Sequence, residues 1–142
     1  MLRFNYISMD YLEKAARVLE IEIFELQRLR QRLGKSFGDA IELLKAAVDA
    51  RGKIVVLGVG KSGHVGSKIA ATLTSTGSPA VVLDSLNALH GDLGMVADGD
   101  AVLALSASGE TEELLRILPA IARLKGSTLR TWQQDCRSSK PV

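Results

Sequence analysis

Cysteine is nearly absent. The lone Cys136 rules out an internal disulfide and a four-thiolate metal site. Histidine is scarce too, and His64, His90 and the distant Cys136 make a weak case for a bound metal; the expected count of cofactors is none, a dinucleotide being the alternative weighed below. Charge of one sign is missing: 18 Lys+Arg face 16 Asp+Glu, and no basic block argues for nucleic acid. With only 3 prolines and 13 glycines, a collagen-like chain is excluded. No apolar run reaches the ~20 residues of a membrane-spanning helix, so no membrane partner is expected. The expected setting is reducing and cytoplasmic.

What is present is an ordinary globular composition, 46% hydrophobic and 24% charged over 142 residues. That length bounds the chain to one domain at most. Leu12, Ala15, Ala16, Leu19, Ile23, Leu26 and Leu33 recur at helical steps and predict a helix over Asp10–Leu33. Asp10 is its expected cap, with Glu13 completing a capping box. Gly34 ends it, and Ser36 caps a second helix with Phe37, Ile41, Leu44 and Val48 on one face. This helical lead reads as a flanking arm suited to dimerisation. Residues 1–8 have no period. They read as a disordered lead or as an over-extended start before Met9.

The character then changes. Lys53–Leu57, Ala80–Leu83 and Ala101–Leu105 are short apolar runs of the kind buried on both faces of a parallel sheet. Helices are expected over Gly63–Gly77, with Ile69, Ala70 and Leu73 inward, and over Thr111–Leu124, with Leu114, Leu115, Leu118 and Ile121 inward. Residues 87–93 read as a loop with a helical turn. Strand–helix alternation predicts right-handed βαβ units and an α/β layer fold, which the family likeness given below implies has three layers.

Three loops carry chemistry. Gly58-Val59-Gly60-Lys61-Ser62-Gly63 follows a strand and opens a helix. Such glycines let backbone N–H groups approach an anion at a helix N-terminus. Asp84 lies 21 positions after Gly63, the spacing of a ribose-binding carboxylate, so a dinucleotide reading stays open. Ser106-Ala107-Ser108-Gly109-Glu110-Thr111 follows the third run. Its hydroxyls and the helix start behind them suit a phosphate monoester. A dinucleotide fold does not need this second loop. His90, in Leu89-His90-Gly91-Asp92-Leu93-Gly94, is an acid–base candidate, because histidine ordinarily titrates near neutral pH. Lys61 is placed to neutralise a phosphate or polarise a substrate oxygen. Plainer readings use the same residues: a packing turn, a helix cap at Ser108 or Thr111, a turn hydrogen bond at His90.

Taken together, the segments from Gly58 to His64, Ser75 to Pro79, Ala88 to Met95 and Ser106 to Glu113 resemble the sugar isomerase (SIS) domain family. The likeness is nearest to its bacterial arabinose-5-phosphate isomerases and runs over about Met9–Leu124. It implies an α/β/α domain with a five-stranded parallel sheet, usually a homodimer or homotetramer. It implies that Ser62, Ser106, Ser108 and Thr111 bind a sugar phosphate. Gly58, Gly60, Gly63 and Gly109 are the loop glycines. Lys61, His90 and Glu110 match positions of catalysis or substrate contact. The implied reaction interconverts ribulose 5-phosphate and arabinose 5-phosphate, feeding the Kdo sugar of lipopolysaccharide. A non-catalytic phosphosugar-binding module is the alternative within the family.

Asn87 departs from the family, which often has glutamate there. Residues 126–142 show no strand run, no helical period and no family likeness. They read as a non-homologous tail, as from a frameshift, following a partial SIS domain over 9–125. The expected consequences are a bare edge on the third strand, unless that tail or a partner covers it, and doubtful catalysis.

Overall fold

The computed structural model describes residues 11–88, 90–123 and 128–133. The Asp10 cap, the 1–8 lead and Cys136 lie outside them. Two compact units divide the chain, one up to Gly38 and one from Asp39 onward. The first holds helix α1 (Tyr11–Arg32) and the start of α2 (Lys35–Asp49). Gly34 does separate the two helices. Ser36, the expected cap, is instead the second residue of α2. The Gly34 carbonyl accepts from the N–H of Phe37 at 3.0 Å and so starts that helix itself.

The second unit alternates β1 (Ile54–Gly58), α3 (Lys61–Ser75), β2 (Ala80–Asp84), the short α4 (Ser85–Ala88), β3 (Ala101–Ser106), α5 (Glu112–Ile121) and β4 (Thr128–Gln133). A 3-10 turn over Asp92–Met95 lies between α4 and β3. The sheet order is β2-β1-β3-β4, and every pairing is parallel. Four strands are thus present among the described residues, where the family resemblance implied five. The segment beyond residue 126 carries β4, which pairs with β3 from Ala101↔Thr128 to Ser106↔Gln133. The edge of β3, expected bare unless the segment after residue 125 or a partner covered it, is therefore covered by that segment.

β1 explains the layering. All five of its residues are buried, and successive side chains leave a strand on opposite faces. Val55 and Leu57 enter a core with Leu83, Val102, Ala104, Leu114, Ile117 and Ile121. Ile54 and Val56 enter a second core with Ala70, joined by Leu44, Val48, Leu73, Leu103 and Leu105. So α5 covers one face, while α3 and the Asp39–Asp49 part of α2 cover the other. Each fully buried Val, Leu or Ile contributes about 1.5–3 kcal/mol relative to exposure. The α5 stripe is narrower than expected. Leu114 and Ile121 are buried with Ile117, and Leu118 packs at the rim. Leu115 is 52% exposed, because it faces away from the sheet. On α2 the inward face is Leu44, Ala47 and Val48, whereas Phe37 and Ile41 are exposed.

One buried charge ties the strand starts together. Asp100, 3% exposed, precedes β3. It accepts the backbone N–H of Lys53 at 2.9 Å, that of Ala97 at 2.8 Å, and the Lys53 ammonium. Lys53 precedes β1, and its carbonyl accepts from Ala101 N–H at 3.0 Å. Burial by itself pushes the Asp100 carboxyl up. The Lys53 ammonium and the two backbone donors outweigh it and hold the carboxyl below the ordinary carboxylate value. Its stability contribution is therefore complete above the unfolded value of about 3.9 and is lost as pH falls through the lowered folded value. Asp100→Asn should cost about 1–3 kcal/mol in urea unfolding at pH 7, since donors lose their acceptor. The gap between the two proteins should close below about pH 4, which a pH series of unfolding curves would read.

Candidate functional site

Parallel pairing brings the chemistry-bearing loops to one edge. Gly58 at the end of β1 pairs with Asp84 at the end of β2 and with Leu105 near the end of β3. The strands finish flush, and the connections leaving their carboxyl ends emerge side by side. That is where ligands bind in open α/β sheets.

The first connection is very tight. α3 opens at Lys61, two residues before the expected Gly63, so Lys61, Ser62 and Gly63 form its first turn. Gly60 caps it with φ 55° and ψ −123°, a backbone that side chains disfavour. A Cβ on Gly58 would stand 2.9 Å from Gly63 N and from Ser62 C and O. A Cβ on Gly63 would stand 2.9 Å from the Gly58 carbonyl. Only two glycines let strand end and helix start approach this closely. The amides of Ser62 and Gly63 turn back onto Val59 O at 3.1 and 3.4 Å, and His64 N–H onto Gly60 O at 3.1 Å. Lys61 and His64 are exposed and Ser62 is half-buried.

The second connection is held by its own hydroxyls. Ser106 Oγ accepts the N–H of Gly109 at 2.9 Å and lies 2.9 Å from Thr111 Oγ1. Ser108 Oγ accepts the N–H of Glu110 at 3.1 Å. Gly109 takes φ 72°, the conformation glycine tolerates best. Thr111 occupies the N-cap position of α5, yet its side chain makes no capping bond. Its hydroxyl is turned to Ser106 instead, so the helix-cap reading of Thr111 fails. Ser106 and Thr111 are half-buried, while Ser108 and Glu110 are exposed.

The third connection follows β2. Asp84 Oδ1 accepts the N–H of Asn87 at 3.2 Å and so caps α4. The carboxylate offered to a ribose by spacing alone thus has a local structural use. Ala88 is buried in the α5-side core, and His90 lies two residues on, exposed. Its N–H donates to Asn87 O at 2.8 Å, and Gly91 follows with φ 123°. The structure brings Ser106 and Thr111 into contact. It sets Lys61, Ser62, Ser108 and Glu110 on adjacent loops of the same edge. The Ser106–Thr111 pair is not visible in sequence, because hydroxyls five residues apart in a loop have no fixed geometry. The Asp84 cap had a signal: an Asp just ahead of a helical start.

Gly58→Ala should destabilise the protein by about 1–3 kcal/mol, as overpacking against backbone does. Chemical unfolding would read it. Gly94→Ala, where a Cβ meets nothing within 4 Å, should stay within about 0.5 kcal/mol.

The SIS domain family matches residues 48–129. Arabinose 5-phosphate isomerase KdsD of Pseudomonas aeruginosa is 48% identical over 122 residues, which is 86% of this chain and 36% of that protein. Arabinose 5-phosphate isomerase GutQ of Escherichia coli K12 is 46% identical over 115 residues, 81% of this chain and 35% of that protein. The chain thus spans about a third of the length of the curated relatives it matches. A protein of Escherichia coli CFT073, solved in complex with arabinose 5-phosphate, superposes with TM-score 0.73 at 35% identity, covering 92% of this chain and 69% of that one.

Proposed function

The chain belongs to the SIS domain family, and from that premise we propose that its strand-end loops bind a pentose 5-phosphate for interconversion of arabinose 5-phosphate and ribulose 5-phosphate. The observation that carries this reading is the Ser106–Thr111 loop, a hydroxyl-lined turn at a helix N-terminus. Hydroxyl donors and the helix dipole suit a phosphate monoester. Ser62, Ser106, Ser108 and Thr111 are its proposed ligands, and the loop glycines admit it. The arabinose 5-phosphate held by the related CFT073 protein supports the same ligand class here.

The chemistry is a proton transfer beside a carbonyl. A base takes the proton from the carbon next to the carbonyl. The C–H electron pair becomes the carbon–carbon double bond of an enediolate as the carbonyl π pair moves onto its oxygen; the neighbouring hydroxyl passes its proton to that oxygen, and the first proton returns to the former carbonyl carbon as the new carbonyl forms beside it. Glu110, at the phosphate loop, is the proposed base. The Lys61 ammonium stabilises the enediolate oxygen, as a donor aimed at developing charge does. His90 opens the sugar ring or shuttles the proton. The proposed setting is cytoplasmic, supplying Kdo for lipopolysaccharide, with the protein acting as a homo-oligomer.

A coupled assay for arabinose 5-phosphate formation tests the reading. Lys61→Ala should lower kcat by about 10²-fold or more, and normal turnover by that variant would remove Lys61 from the mechanism. Arabinose 5-phosphate at a hundredfold over Kd should stabilise the wild type by about 2.7 kcal/mol. Stabilisation without turnover would leave a phosphosugar-binding module. A shift with NAD and none with sugar phosphates would favour the dinucleotide reading instead.

A further inference from the structure

We propose that Asp84 is a positioning residue for His90 and acts through the one-turn helix α4 between them. The proposal rests on the isomerase reading of these loops, in which His90 opens the ring or shuttles the proton. A histidine in that role must be held in place, since a misplacement of about 1 Å can cost about 10²-fold. His90 is exposed, so its position is set through its backbone. The chain of contacts is short. Asp84 Oδ1 accepts the Asn87 N–H at 3.2 Å. The Asn87 carbonyl accepts the His90 N–H at 2.8 Å. Asn87 thus gives its N–H to the carboxylate and its carbonyl to the histidine.

Both ends of this chain of contacts are anchored. Asp84 ends β2 and pairs in register with Gly58 of the central strand, so the carboxylate is fixed to the sheet edge. A helix of 4 residues is far too short to stand by itself. Packing on β2, α5 and the 3-10 turn supports it, with Ser85 and Ala88 only 5% and 1% exposed. Beyond His90, Gly91 takes φ 123°, a turn that glycine makes cheaply, and its carbonyl accepts the Gly94 N–H at 3.1 Å. His90 therefore sits between a capped helix and a fixed turn. The cap needs an acceptor and not a charge. Asn and Ser cap about as well as Asp, and Ala does not. A contact of the carboxylate with a ribose or a substrate would need the acid itself, and that contrast supplies the test.

Amide hydrogen exchange of the full chain, read by NMR, needs no substrate. The His90 amide is the probe, and the His64 amide, held on Gly60 O at 3.1 Å, is the reference. Asp84→Ala should speed exchange at His90 about tenfold and leave His64 within about twofold, as the loss of a local cap does. Asp84→Asn and Asp84→Ser should match the wild type at both amides. In the isomerase assay Asp84→Ala should lower kcat about tenfold with KM within about twofold, because another loop holds the phosphate. In a His90→Gln background the same change should cost nothing further, because its effect passes through the histidine. Asp84→Gln carries its oxygen one carbon further out and should behave as Asp84→Ala; it replaces that variant if circular dichroism shows it misfolded. Equal loss in Asp84→Asn overturns the proposal in favour of a role for the charge. Unchanged His90 exchange in Asp84→Ala overturns it, as does a full cost in the His90→Gln background. A wild type that turns over no sugar phosphate defeats the isomerase reading instead, and the exchange result still decides whether Asp84 holds His90.

Discussion

The sheet unit depends on β1 being buried on both faces. A strand with no solvent face carries no polar side chain cheaply, and Ile54–Leu57 has none. Both sides must then be covered by helices. Covering both faces forces each connection to cross over a face and return parallel. Parallel return aligns the carboxyl ends, so Gly58, Asp84 and Leu105 share one row. The clustering of the glycine, serine and histidine loops is thus a consequence of burying four aliphatic side chains.

Opposite ends of the sheet are finished by different physics. At the amino ends a buried carboxylate, Asp100, gathers donors from both strand entries. Breaking such a group is costly because its partners are left without an acceptor. At the carboxyl ends the chain relies on glycine and neutral hydroxyls. Gly58 and Gly63 let backbone meet backbone, and Ser106 holds the amide of Gly109. The buried charge therefore sits at the end away from the candidate site. The carboxyl edge keeps donors that an anion can share, with exposed Lys61 as the nearby cation.

Much of this is legible in the sequence. The aliphatic runs 53–57, 80–83 and 101–105 match β1, β2 and β3 within one residue at each end, because no other use exists for short β-branched stretches between glycines. The three loops are legible as loops and as neighbours, since strand polarity alone puts them on one edge. Helix faces are less so. Leu115 lies next to the apolar stripe in sequence, but the face that meets the sheet is Leu114, Ile117, Leu118 and Ile121, which turns Leu115 outward. Ser36 has the chemistry of a cap, but the Gly34 carbonyl starts α2 first. β4 escapes a sequence reading because Thr128–Gln133 lacks an aliphatic run; its pairing with β3 is a property of the vacant edge more than of its own residues.

By itself, the sequence determined the layer class, the succession of the first three strands and the helices between them, the loops at their ends, and the family whose motifs they match. These follow from periodicity and from glycines, which act locally. Tertiary structure decided what local pattern cannot encode. It chose that the Thr111 hydroxyl turns to Ser106 rather than to its helix, that Asp84 caps α4, and that β4 closes the edge of β3. Each is a competition among several partners that the chain brings within reach only after the sheet has formed.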